Sequence, residues 1–147
     1  KFFRRAQKWI EKNSCEMLIA GKNPDYNPNN PRVFYVGNLA WHEMISLMKR
    51  ASTFVHLSWL DHCPNVVVDA RACECKIICS SSGGTPEIAG ANSIIIEEDD
   101  WDFSPIDLYD PPKIDFNRII SNEINVPINI KHAADDYISI ARKLKKA

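Results

Sequence analysis

Four residues in one short stretch, LSWLDHCPNVVVDARACECKIICSSSGGTPEIAG (residues 57–90), suit a single kind of chemistry: Asp61, Asp69, Gly83 and Gly84. Carboxylates accept hydrogen bonds from the vicinal hydroxyls of a sugar or a ribose. A glycine pair permits close backbone approach and positive φ. Thr85 stands where it could cap a helix begun by Pro86, with Glu87 in its first turn. The amides left over at such a start suit a phosphate. Asn65 and Asp69 are four residues apart and share a helix face, so Asp69 is expected to look toward the same crevice as Asp61. Taken singly, the glycine pair fits an ordinary turn and each aspartate a solvated or capping role. Taken together, they outline a sugar on one carboxylate, a ribose on the other and a diphosphate between.

The flanking sequence supplies elements that would position these groups. CEMLIAG (15–21), RVFYVG (32–37), TFVHLSW (53–59), KIICS (76–80) and SIII (93–96) are short apolar runs, read as strands. Phe2, Phe3, Ala6, Trp9 and Ile10 recur at helical spacing, and so do Trp41, Met44, Ile45, Met48 and Ala51. Pro64 is suited to open a helix running to about Cys73. A short helix is expected from Pro86, another over residues 115–122, and a last one carrying Ala134, Tyr137, Ile138, Ala141 and Leu144. Residues 22–31 and 97–112 read as loops rich in Asn, Pro or acidic residues. Wholly apolar strands alternating with helices predict an α/β domain with a doubly wound parallel sheet, covered on both faces. Such sheets bind ligands at the carboxyl ends of their strands, and Gly37, Asp61 and Gly83 each follow such an end.

The bulk properties fit one soluble domain. At 147 residues, with 45% hydrophobic and 25% charged residues, the chain can build a sizeable core. Net charge −1 gives no electrostatic case for nucleic acid. KFFRRAQKWIEKN lacks the uncharged apolar centre of a signal peptide and reads as an amphipathic surface helix; no run approaches the roughly 20 residues of a membrane span. Cys15, Cys63, Cys73, Cys75 and Cys79 are odd in number and suit free thiols in a reducing cytoplasm. Cys73, Cys75 and Cys79 lack a fourth ligand at usual spacing, so no metal is expected.

The order of these motifs resembles the C-terminal domain of the retaining GT-B glycosyltransferases of family four. That family shows a strand, Glu-Gly-x-Pro, an apolar helix with a second Glu, Ala-x-Ala-x-Gly-x-Pro-Val-Val and Gly-Gly-x-Pro-Glu. PRVFYVGNLAWHEMISLMKRASTFVHLS is similar to the preceding strand, glycine turn, helix and strand, so the likeness covers residues 31–97. The resemblance implies a Rossmann-like lobe binding a nucleoside-diphosphate sugar as donor substrate, with no obligatory metal. Asp61 takes the first acidic position, contacting the donor sugar, and Asp69 the second, holding the ribose. Cys63, Pro64 and Asn65 would face sugar and diphosphate. Gly83, Gly84 and Thr85 match the turn at the phosphates, and Gly37, Asn38 and Leu39 the loop under the base.

The chain departs from that pattern in three places. Both acids are Asp, about 1.5 Å shorter in reach than Glu. His62 stands where the family has glycine, and fits either an exposed loop histidine or a substitute contact to phosphate or sugar, and Cys75 and Lys76 fall near the usual proline. The resemblance also implies a first strand, a loop bearing Arg and Lys, and an acceptor-binding N-terminal domain, all expected ahead of Lys1. On this reading residues 1–147 form one donor-binding lobe of a cytoplasmic hexosyltransferase. Its partners are a nucleotide-sugar and, through the other domain, a glycan or lipid acceptor, with peripheral membrane contact in the lipid case. The isolated lobe is not expected to transfer sugar. A glycosyltransferase-like module that only binds stays open as the alternative. An epimerase of the same architecture accounts for the sheet but not for the motif order.

Overall fold

The computed structural model describes residues 2–22, 30–99, 112–124, 126 and 129–144. In chain order the elements are α1 (Phe2–Lys12), β1 (Met17–Ala20), β2 (Val33–Gly37), α2 (Trp41–Met48), β3 (Thr53–His56), α3 (Asn65–Ala72), β4 (Lys76–Ser80), α4 (Thr85–Ala89), β5 (Ile94–Glu98), β6 (Ile114–Ser121) and α5 (Ile130–Leu144). The architecture is mixed α/β with parallel strands and covering helices, as in a Rossmann-like domain. Much of both expected loops, residues 23–29 and 100–111, lies outside the described residues.

The apolar strands pair in parallel, Thr53–His56 against Lys76–Cys79 and Ile78–Ser80 against Ile94–Ile96. Ile77, Ile78, Cys79 and Ser80 are buried in succession, so helices or loops cover both faces of β4. Val67 and Ala89 bring α3 and α4 onto Ile77, Cys79 and Ile95. On the opposite face Leu57, Ile78 and Ile96 pack together. Each fully buried aliphatic side chain contributes about 1.5–3 kcal/mol.

The strands fall into two sheets among the described residues: β1-β2, parallel, and β3-β4-β5-β6, parallel as far as β5. Helix α1 joins them, because Trp9 packs on the Ile10, Ile19 and Val33 cluster and on the Leu57, Ile78 and Ile96 cluster. Arg5 strengthens that link. It is 8% exposed, and its guanidinium meets Glu98 Oε1 at 2.5 Å and the Leu57 carbonyl at 3.1 Å, and donates also to the Pro112 carbonyl. Between β1 and β3 lies a cavity of about 690 Å³ lined by both strands, Trp9, Met44, Leu47 and Met48. The strand edges facing it have no pairing partner among the described residues.

Two expectations are corrected. Residues 115–122, expected to be helical, lie mostly in β6, which runs antiparallel to β5 with Ile96 opposite Ile119. Phe116, Ile119 and Ile120 imitate a helical stripe, but β-branched isoleucines among Asp115, Asn117 and Asn122 favour extended chain. The free edge of β5 then decides the outcome. The last helix forms as expected, yet Ala134, Tyr137 and Ile138 of its stripe are exposed.

Candidate functional site

The loop after β3 and the loop after β4 meet at the carboxyl ends of adjacent parallel strands. Hydrogen bonds sew them together: Ser80 Oγ to the Ser58 carbonyl at 3.0 Å, and the Leu60 amide to Ser82 Oγ at 3.3 Å. Leu60 adopts φ 52°, which turns the chain sharply ahead of Asp61. The Gly84 amide donates to the Asp61 carbonyl at 3.1 Å, and Thr85 Oγ1 donates to the same oxygen at 3.3 Å.

This packing explains why two glycines stand side by side. A Cβ on Gly83 would lie 2.4 Å from the Asp61 carbonyl oxygen, and one on Gly84 would lie 2.2 Å from that of His62. Gly83 also sits at φ +73°, where a side chain is strained. The expected cap by Thr85 is not formed. Gly84 is the N-cap of α4, and Thr85, fully buried, is the first helical residue, its hydroxyl drawn to the carbonyl that fills the corner. The Gly84 amide is likewise spent inside the protein.

Asp61 is held by its side chain as well. Its Oδ2 lies 3.1 Å from Nε2 of His56, the last residue of β3. His56 is 7% exposed and stacks on Phe54, with centroids 6.4 Å apart and planes 13° from parallel. Burial pushes the His56 pKa below its ordinary value, against the upward pull of the Asp61 charge and hydrogen bond. The neutral imidazole therefore donates from Nε2 to the carboxylate, whose side chain remains 36% exposed. His62 and Cys63 are exposed on the same loop.

Pro64 is buried and is the N-cap of α3, with Asn65 exposed as its first residue. The Pro64 carbonyl accepts from the Val67 amide at 2.9 Å, as a helix start requires. The Asn65 and Val66 amides find no acceptor among the described residues, so the helix that starts four residues after Asp61 presents open donors. One turn on, Asp69 faces a different neighbour: its Oδ2 accepts from Trp41 Nε1 at 3.2 Å, across to α2. The two carboxylates thus have different partners, Asp61 turning to His56 at the end of β3 and Asp69 to Trp41 on α2.

Gly37 ends β2 at φ +73°, and its carbonyl accepts from the Gly21 amide at 2.9 Å. Asn38 is exposed and Leu39 half-buried in the turn into α2. Glu43 Oε2 accepts from the Ala40 amide at 2.7 Å and fixes that turn. Of the residues expected from sequence, Asp61 and His62 meet Gly83–Thr85 directly, whereas Asp69 is tied to Trp41, which follows the Gly37–Leu39 turn. Sequence reasoning missed His56 and Trp41, although a histidine in an apolar strand and a tryptophan directly after a glycine turn were visible signals.

The large cavity between the sheets is not this site. Its walls are mainly apolar side chains, and it reaches the polar cluster at His56 and Ser58 and the start of α3 at Val66. The cysteines stay free; Cys75 Sγ donates to the Met48 carbonyl, and burial pushes the Cys79 thiol up to about 12.

Residues 1–104 match the family model described as glycosyl transferases group 1. No curated protein and no solved structure matches the chain.

Proposed function

The chain belongs to the group 1 glycosyltransferases, and from that premise we propose that it is the donor-binding C-terminal lobe of a retaining enzyme of the GT-B fold. The enzyme transfers a hexose from a nucleoside-diphosphate sugar to a glycan or lipid acceptor held by an N-terminal domain. Asp61 accepts hydrogen bonds from the donor sugar's hydroxyls, and Asp69 from the ribose. Between them the Asn65 and Val66 amides and the positive end of the α3 dipole meet the diphosphate as it takes up charge on leaving. His62, on the Asp61 loop, adds a contact to sugar or phosphate. No metal is required, since amides and cationic side chains of the whole enzyme can hold the leaving group.

One observation carries this reading. Asp61 is fixed by His56 through its carboxylate and by Gly84 and Thr85 through its carbonyl, four residues before a helix start with open amides. A held carboxylate beside a held set of donors is what a sugar phosphate demands. The edges of β1 and β3, unpaired among the described residues, support the lobe's being completed by one more strand. No described helix is long and apolar enough to cross a membrane, and the reading puts the lobe in the cytoplasm, against a membrane face if the acceptor is a lipid.

A second reading, a module that binds without transferring, draws on the same corner. There the Gly84 amide already serves Asp61, and His62 replaces the family's glycine. Thermal unfolding with UDP, GDP or ADP decides whether the donor crevice binds. A ligand at 100 times its Kd adds about 2.7 kcal/mol, a rise of roughly 5–10 °C for a chain of this size. No shift with any of the three, alongside capture of a protein partner, would favour the module.

A further inference from the structure

Trp41 opens α2 with 68% of its surface exposed and joins none of the hydrophobic clusters among the described residues. The buried face of α2 is supplied by Met44, Ile45 and Met48. The preceding turn of the same stripe could have buried the indole, and burial is the stronger stabilising term for so large a side chain. Instead the ring reaches to α3, where Nε1 donates to Asp69 Oδ2 at 3.2 Å. That bond uses the indole's only polar atom and leaves its apolar surface open to solvent.

The neighbourhood is fixed on both sides. The turn from Gly37 to Ala40 is pinned by the Gly21 and Glu43 contacts, and Asp69 sits within a regular helix. An aromatic plate held edge-on by a carboxylate, beside a rigid turn, fits a flat π-system attached to a diol.

We infer that Trp41 is the stacking platform for the nucleobase of the donor, with Asp69 orienting the ring through Oδ2 and meeting the ribose hydroxyls with its other oxygen. The inference rests on the donor-lobe reading and adds to it the residue that recognises the base. Stacking is open to every base, so Trp41 supplies affinity rather than choice among bases.

The test compares the wild-type chain, Trp41→Ala and Trp41→Phe by calorimetric titration with UDP, GDP, ADP and inorganic pyrophosphate. Because Trp41 is exposed, both variants should keep the wild-type melting temperature. Trp41→Ala should weaken the nucleoside diphosphate that the wild type binds by roughly 5- to 100-fold, a stacking-sized loss. Pyrophosphate binding should not change, and Trp41→Phe should recover most of the nucleotide affinity. The bound nucleotide should also quench tryptophan emission in the wild type more than in Trp41→Phe. Nucleotide affinity within about twofold of wild type in Trp41→Ala overturns the inference. Equal weakening of pyrophosphate overturns it too, by showing an effect on the phosphates. A wild-type chain that binds no nucleoside diphosphate overturns the donor reading itself, and the inference with it.

Discussion

His56 Nε2 lies 3.1 Å from Asp61 Oδ2, so the last residue of β3 holds the carboxylate of the loop that opens α3. The imidazole is buried, and its pKa is lowered chiefly by desolvation. In the unfolded chain it takes a proton near 6.5, its ordinary value, whereas the folded protein resists. Stability is therefore full above that value, falls as pH drops below it, and levels off beneath the lowered folded pKa. His56→Gln should flatten this part of the melting-temperature profile between about pH 7 and 5. An unchanged slope would show that the imidazole is equally easy to protonate in both states.

The glycine corner makes a second prediction. A Cβ at Gly84 meets a backbone oxygen at 2.2 Å, which cannot swing aside as a flexible side chain would. Gly84→Ala should cost about 2 kcal/mol or more, roughly 4–8 °C in Tm, and weaken nucleotide binding with it. Gly37→Ala is the comparison. Its φ is +73° but its Cβ meets nothing within 4 Å, so only the backbone strain of about 1–2 kcal/mol applies.

Arg5 and Glu98 form a buried pair, with side chains 10% and 4% exposed. Glu98 Oε2 already lacks a hydrogen-bond partner among the described residues. Arg5→Met should lower unfolding stability by about 3–5 kcal/mol, because it strands the carboxylate. Arg5→Met combined with Glu98→Leu should recover much of that loss, as measured by denaturant midpoints. A double variant as weak as the single one would show that packing of α1, not charge, is what Arg5 provides.

Thiol chemistry should divide along exposure. Cys63 is exposed beside Asp61, whereas Cys79 is in the core with its thiol pushed up to about 12. Brief maleimide treatment of the native chain, read by mass spectrometry, should label Cys63 and leave Cys79 untouched until unfolding. A bound nucleoside diphosphate should slow the Cys63 reaction.

The sequence made most of the framework readable because its five expected strands are short apolar runs and its helices show regular stripes, although β1 and β2 leave Leu18, Phe34 and Val36 exposed. Residues 115–122 misled because Phe116, Ile119 and Ile120 fall at helical spacing, while in the strand Phe116 and Ile120 share one face and Ile119 the other, and only the edge of β5 decides between them. The glycine pair pointed to the right place for an incomplete reason. Its first use is to admit the Asp61 and His62 carbonyls, a tertiary contact no local pattern reveals. His56 and Trp41 escaped for the same cause: each acts through a partner, Asp61 or Asp69, on another element. The division into two sheets was likewise invisible, since short apolar strands do not declare their neighbours.

The central claim is that the two acids divide the donor between them. Calorimetric titration of Asp61→Ala and Asp69→Ala with a nucleoside diphosphate and with its sugar conjugate tests it most directly. Asp69→Ala should weaken both ligands alike, by about tenfold or more, through the ribose. Asp61→Ala should leave the bare nucleotide within about twofold and weaken only the sugar conjugate, by a similar factor of about ten. Equal losses of bare-nucleotide affinity in the two variants, or no loss in either, would contradict the assignment.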